Sequence, residues 1–240
     1  MNSLINKKIQ FQELGIRDYQ PTWDYQEELL KKNIDIKIHN RKNNDNQNVT
    51  NNYLLFVEHP HVYTLGKSGH EENLFANEDK LKEIDAIYVK VNRGGDITYH
   101  GFGQIVGYPI LDLENFYTDI HRYMRDLEEV IIRTISEYGL KGERSKGETG
   151  VWLDVGKPYA RKICAMGVKA SRWITIHGFA LNVNTDLKYF EYIIPCGIAD
   201  KQVTSLKREL GCEINIKEVK QKIRKHFAEV FECEFESCGD

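Results

Sequence analysis

The chain has no run of about 18 apolar residues, so it offers no segment that would cross a membrane as a helix. Its first residues, MNSLINKKIQFQELG, lack the apolar stretch of a secretory signal. The five cysteines, at 164, 196, 212, 233 and 238, are odd in number and form no C-x-x-C pair, which argues against a disulfide framework. These absences together predict a cytoplasmic protein in a reducing compartment. Bulk charge is lacking as well. A net charge of −3 is too small to suggest nucleic-acid binding. There is no internal repeat and no P-loop. Between Val155 and Thr185 there is no Asp or Glu, while Lys157, Arg161, Lys162, Lys169 and Arg172 fall inside that stretch. Such a stripe either steers an acidic partner or takes its counter-charges from elsewhere in the fold.

What is present is ordinary globular material. Hydrophobic residues make up 41% and charged residues 29% of 240 residues, which fits one domain spanning 1–240 with a core of useful size. The segment 40–52, NRKNNDNQNVTNN, has Val49 as its one aliphatic residue and is expected to be an exposed, flexible loop.

Apolar spacing predicts a helix at about 22–33, then strands at YLLFVEH, AIYVKVN and QIVGYPILDL. Ile120, Tyr123, Leu127, Val130, Ile131, Ile135 and Tyr138 recur at threes and fours, predicting a helix over about 118–138 that stops at Gly139. VWLDVG, KICAMGVKA and WITIHGFALNVN read as strands joined by tight turns. DLKYFEYI reads as a short helix behind Asp186, and 216–231 as a final amphipathic helix. Consecutive strands without regular alternation with helices predict an α+β fold. Its sheet should be mixed and mostly antiparallel, flanked by helices, and not a doubly wound nucleotide fold.

Three motifs could carry chemistry. RGGDITYHGFGQ, residues 93–104, packs four glycines between two predicted strands, as a ligand-cradling loop or a plain turn would. The stripe ARKICAMGVKASRWITIHGFALNV contains His177, which a structural reading treats as a satisfied core residue. IIPCGI sets Cys196 at a Pro-Gly corner that can aim a sulfur into a cleft, although cysteine is also a common small buried hydrophobe. His59, His61 and His70 lack a fourth ligand at a suitable spacing, so no metal site is expected.

Taken together, RGGDITYHGFGQIVGYPILDL, RKICAMGVK, HGFALNVNTDLKYFEYIIPCG and VTSLKRELG resemble the lipoyl(octanoyl)transferases, in order, over roughly 53–211. VYTLGKSG is similar to that family's early strand-loop element. Phe102 departs from the pattern, since the family's loop has proline there. The resemblance implies a fold like the catalytic domains of biotin and lipoate protein ligases. It also implies transfer of an octanoyl (or lipoyl) group from acyl carrier protein to a lysine of a lipoyl domain, as in the 2-oxoacid dehydrogenases or the glycine cleavage H protein. This would be the first step of endogenous protein lipoylation. By the same resemblance Cys196 is the acyl-thioester nucleophile and Lys162 the residue that activates it. Substrate contacts map to Arg93, Gly94, Gly95, Asp96, Ile97, Thr98, Tyr99 and His100, to Ala165, Met166 and Gly167, and to Gly178, Phe179 and Ala180.

Such a reaction needs no ATP and no metal, because the donor is already a thioester on a phosphopantetheine arm. The rival readings are an ATP-dependent lipoate-protein ligase on the same fold, an amidotransferase between lipoyl domains, and a non-enzymatic acyl-chain binding protein.

Overall fold

A computed structural model describes residues 5–43, 47–194 and 202–236. Strand β1 (Lys8–Ile16) leads into helix α1 (Tyr19–Lys42), which is followed by β2 (Asn52–Glu58), β3 (Val62–Leu65), α2 (Glu78–Glu83), β4 (Ile87–Lys90), β5 (Ile97–His100) and β6 (Gln104–Ile110). Helix α3 (Ile120–Ser136), β7 (Val151–Leu153), β8 (Arg161–Ser171) and β9 (Ile174–Asn182) come next, then β10 (Gln202–Val203), α4 (Leu206–Leu210), α5 (Ile216–Phe231) and β11 (Glu234–Phe235). The main sheet runs β10-β8-β9-β6-β2-β1-β11, with β7 paired to β8, and β4-β3-β5 form a second sheet. The long central pairings, β8–β9, β9–β6 and β6–β2, are antiparallel, and the parallel ones, β10–β8, β2–β1 and β1–β11, lie toward the edges. The mixed, mostly antiparallel α+β sheet expected from the sequence is therefore present.

Strand alternation sorts the side chains of this sheet onto two faces. One face carries Leu54, Phe56, Ile105, Phe179, Leu181 and Cys164 and packs against Leu127 and Ile131 of α3 and Ile223 and Phe227 of α5. Helix α3 begins at Asp119, whose carboxylate accepts from the Arg122 N–H, and α5 begins at Asn215, whose side chain accepts from the Lys217 N–H. The other face carries Leu55, Val57, Val106, Tyr108, Ile110, Ile174, Ile176 and Ala180 and is covered in part by Leu29 and Leu30 of α1.

The structure corrects the reading of the asparagine-rich stretch. Helix α1 runs beyond 33 and takes in residues 40–42, while Thr50 and Asn52 are buried. Helix and loop are tied by side chains rather than by apolar packing, and this is invisible to hydrophobic periodicity. Lys37 is buried, pairs with Asp112 at 2.8 Å and donates to the Arg172 carbonyl. Asn33 exchanges two hydrogen bonds with the backbone of Asn51, and Asn40 does the same with Asn48. Residues 44–46 lie outside the described residues. The glycine-rich segment also holds more than a turn. Ile97–His100 is a strand of its own, paired antiparallel to β3 in the small sheet. DLKYFEYI forms a 3-10 helix, Leu187–Tyr192, with the Asp186 carboxylate accepting from the Lys188 N–H.

Candidate active site

A cleft opens where α1 begins and the small sheet leans over the main one. It amounts to about 790 Å³, its open mouth included. Its floor is set by register. Ala165 of β8 lies opposite Ala180 of β9, which lies opposite Val106 of β6, so three small side chains form one row across three strands. Wherever large residues would have met a covering helix, these leave a slot.

Lys162 reaches this floor through an irregularity in the sheet. Val151 pairs with Cys164, yet the next residue, Trp152, pairs with Lys162, so β8 carries one extra residue at that point. Such a bulge re-aims the side chains beyond it. Ile163 and Cys164 both pack into the core against α3, and Lys162 falls on the cleft side with Ala165. Its ammonium lies 4.6 Å from the centre of the Trp152 ring. The Lys162 carbonyl accepts from the Thr204 N–H at 2.9 Å, and β10 places Val203 beside Lys162. Burial pushes the Cys164 thiol well up, which leaves it inert as a nucleophile.

Residues 93–96 form the wall above the slot. The Arg93 guanidinium is buried and donates to the carbonyls of Gly94 (3.0 Å), Asp96 (2.8 Å) and Thr64 (2.7 Å) and to Thr64 Oγ1 (2.9 Å). It therefore shapes the loop from within. Gly167 is required beneath this loop, since a Cβ there would stand 2.6 Å from the Gly94 carbonyl oxygen. Gly178 serves a different purpose from leaving room for a ligand. A Cβ at that position would stand 2.1 Å from the Gly107 carbonyl oxygen, so it lets β9 approach β6.

His100 and His177 border the slot, and His59 stands behind Tyr108. Gln104 Nε2 donates to Tyr99 O and Asn182 Oδ1, leaving its Oε1 to accept from His100 Nδ1 at 2.9 Å. His59 Nδ1 donates to Arg17 O at 2.6 Å, and its Nε2 accepts from the Tyr108 hydroxyl at 2.9 Å. Asn92 donates to Glu27, so its Oδ1 accepts from His177 Nε2 at 2.8 Å. Burial pulls His59 down to about 4 and His100 and His177 to about 3, helped at His100 by His59 and Arg93 and at His177 by Arg93 and Lys169. At neutral pH all three are uncharged, so they shape and orient without serving as proton donors.

Most of the residues named from sequence meet in this cleft: Arg93, Gly95, Asp96, Ile97, Thr98, His100, Lys162, Ala165, Met166, Gly167, Gly178, Phe179 and Ala180 border it. Met166 and Phe179 do so while their side chains belong to the core against α3 and α5. Gly94 instead holds the loop down, its N–H donating to Val168 O at 3.0 Å. Tyr99 faces away into the small sheet's core, where its hydroxyl meets His61 Nδ1 at 2.7 Å and its ring stacks on Tyr189. Cys196 lies outside the described residues. Tyr19, Tyr108, Asn182 and His177 border the cleft without having been singled out for it. Tyr19 was hidden in the weakly patterned first 50 residues. His177 is satisfied at one nitrogen only, because its Nδ1 is buried without a hydrogen-bond partner. The acid-free stripe finds its counter-charges elsewhere: Arg161 pairs with Asp154 and Glu209, and Lys169 with Glu27.

Residues 18–228 match the model of the lipoyl protein ligase A/B catalytic domain, and the chain belongs to that family. A bi-partite lipoate protein ligase from Thermoplasma acidophilum, solved together with work on its E2 lipoyl domain, has the same fold. Its TM-score is 0.71 over 97% of this chain and 87% of that one, at 17% identity. Sequence similarity is far higher to two octanoyltransferases. That of Christiangramia forsetii is 65% identical over 96% of this chain and 98% of its own length, and that of Flavobacterium johnsoniae 66% over 96% and 99%. Within its class the protein therefore stands with the octanoyltransferases, acyltransferases that act in protein lipoylation.

Proposed function

We propose that the protein takes an octanoyl group from acyl carrier protein onto Cys196 as a thioester and passes it to a lysine of a lipoyl domain. The acceptors are the lipoyl domains of the 2-oxoacid dehydrogenases and the glycine cleavage H protein. The observation that carries this reading is Lys162, turned by the bulge onto the mouth of an apolar slot beside β10. The chain flanking residues 195–201 is anchored at both ends of that region. The Ile194 N–H donates to Asn73 O at 2.9 Å, and Val203 lies next to Lys162 and borders the cleft.

In the first step the Cys196 thiolate attacks the donor carbonyl carbon, and the bond to the pantetheine sulfur breaks. That sulfur takes a proton from the Lys162 ammonium. A free thiol has a pKa near ~8.5 and is mostly protonated at neutral pH, so a nearby ammonium favours the reactive thiolate. In the second step the incoming lysine forms the amide bond and the Cys196 thioester breaks. A lysine has a pKa near ~10.4 and arrives protonated, and becoming an amide N–H costs it two protons: neutral Lys162 accepts one, and the departing Cys196 sulfur takes the other and later releases it to solvent. One thioester is exchanged for another and then for a more stable amide, so neither ATP nor a metal is required. The setting is cytoplasmic, where a cysteine stays a free thiol. Among the described residues no helix is long and apolar enough to cross a membrane.

The test supplies a lipoyl domain with either octanoyl acyl carrier protein or free octanoate plus ATP. Transfer from the carrier without nucleotide is expected. Activity only with octanoate and ATP would make the protein a ligase and overturn the reading.

A further inference from the structure

We infer that Tyr108, held in place by His59, is the end stop of the acyl slot and sets the length of chain the enzyme accepts. The inference rests on the seating of the acyl chain in this cleft. Along the row from β8 to β6 the side chains grow, from Ala165 to Ala180 to Val106, and the neighbouring row on the same face runs from Gly167 to Gly178 and ends, two residues along β6 from Val106, at Tyr108. The sheet continues from β6 to β2, yet among the described residues the cleft takes no lining from β2. Val57, paired with Val106, is fully buried in one cluster with Leu29 and Leu30 of α1. The open floor therefore crosses two inter-strand gaps, about 9.6 Å at the usual strand spacing. An extended eight-carbon chain with bonds of about 1.5 Å spans roughly 9 Å. Slot and octanoyl group match in length.

A stop must be rigid as well as well placed. Tyr108 is buried, and its hydroxyl donates to His59 Nε2 at 2.9 Å, while His59 Nδ1 donates to the Arg17 carbonyl at 2.6 Å. The phenol is thus pinned through two hydrogen bonds to the backbone that leads into α1. Tyr19, at the start of α1, lies with its ring 5.2 Å from that of His59 and stacked 5.9 Å from that of His100, closing the space beside Tyr108. A longer chain would have to displace a hydrogen-bonded phenol from a packed wall. Discrimination of a single methylene by such a pocket is typically on the order of tenfold or more.

The experiment measures kcat/KM for transfer to a lipoyl domain from carrier protein loaded with four-, six-, eight-, ten- or twelve-carbon chains. Wild type should peak at eight. Tyr108→Val should raise the twelve-to-eight ratio by about tenfold or more. Ala165→Leu, at the partly exposed near end of the row, should shorten the slot and raise the four-to-eight ratio by a similar factor. Tyr108→Phe keeps the ring but loses the pin to His59, so it should raise the twelve-to-eight ratio by less than Tyr108→Val does. Because Tyr108→Val removes a buried ring, its melting curve is taken alongside, and Ala165→Leu tests the same slot from its other end. If the active variants keep the wild-type chain-length profile, the end stop is wrong while the proposed function stands. A wild type that transfers no chain from carrier protein overturns the seating itself.

Discussion

Strands β8 and β9 present two faces of opposite character. On one, Cys164, Met166, Phe179 and Leu181 interlock with the side chains of α3 and α5. On the other, Ala165, Ala180 and Gly167 leave a slot that the beginning of α1 does not fill. The same nine-residue strand β9, buried throughout, packs into the core with one set of side chains and lines the cleft with the alternate set. A single extra residue in β8 decides which set Lys162 joins. The Cys164 sulfur on the first face is an inert core atom, so the proposed thioester chemistry would belong to the second face.

The largest effect that could break this division is at Lys162. Lys162→Ala should lower octanoyl transfer by roughly 10²–10⁴-fold, the range for loss of a general acid–base group, with little change in unfolding free energy. Loss of stability with retained kcat would assign Lys162 to the structural face. The converse variant is Phe227→Ala, at a fully buried ring stacked 4.4 Å from Phe231. Urea titration should show it costing about 3–5 kcal/mol, while the protein that remains folded keeps its KM.

A smaller effect separates the faces by pH. His100 and His177 border the cleft and His59 backs Tyr108, all with pKa values depressed from 6.5 to between about 3 and 4. The unfolded chain takes up their protons near 6.5 and the folded chain does not. Stability from these groups is therefore complete above 6.5 and is lost as pH falls toward their folded values. Each contributes at most about 1.4 kcal/mol per pH unit in that window. Urea midpoints should fall between pH 6.5 and 5, and a flat profile there would mean that the imidazoles are not held neutral.

Periodicity made the elements around the dense core readable. Helix α5 falls on the expected 216–231, and α3 departs from expectation by two residues at each end. The short strands β5, β10 and β11 were hidden because they have two to four residues each, too few for alternation to show. The second half of α1 was hidden for another reason: Lys37 and Asn33 tie it down through polar contacts. Ordered similarity to a family brought Lys162 forward, whereas the glycines of 93–104 had already marked that loop. The residues it left out, Tyr19 and Tyr108 among them, act as walls, and an aromatic side chain in a wall looks in sequence like any core residue. The bulge at Ile163 leaves no trace in the sequence either, since only the pairing with β7 reveals it.

The account turns on a covalent intermediate at Cys196 beside Lys162. Intact mass spectrometry after mixing the enzyme with octanoyl acyl carrier protein, in the absence of acceptor, tests it most directly. The account predicts that wild type gains the mass of one octanoyl group, that Cys196→Ala gains none, and that adding a lipoyl domain discharges the adduct. An unmodified wild type that still transfers octanoate, or an adduct that persists in Cys196→Ala, would contradict it.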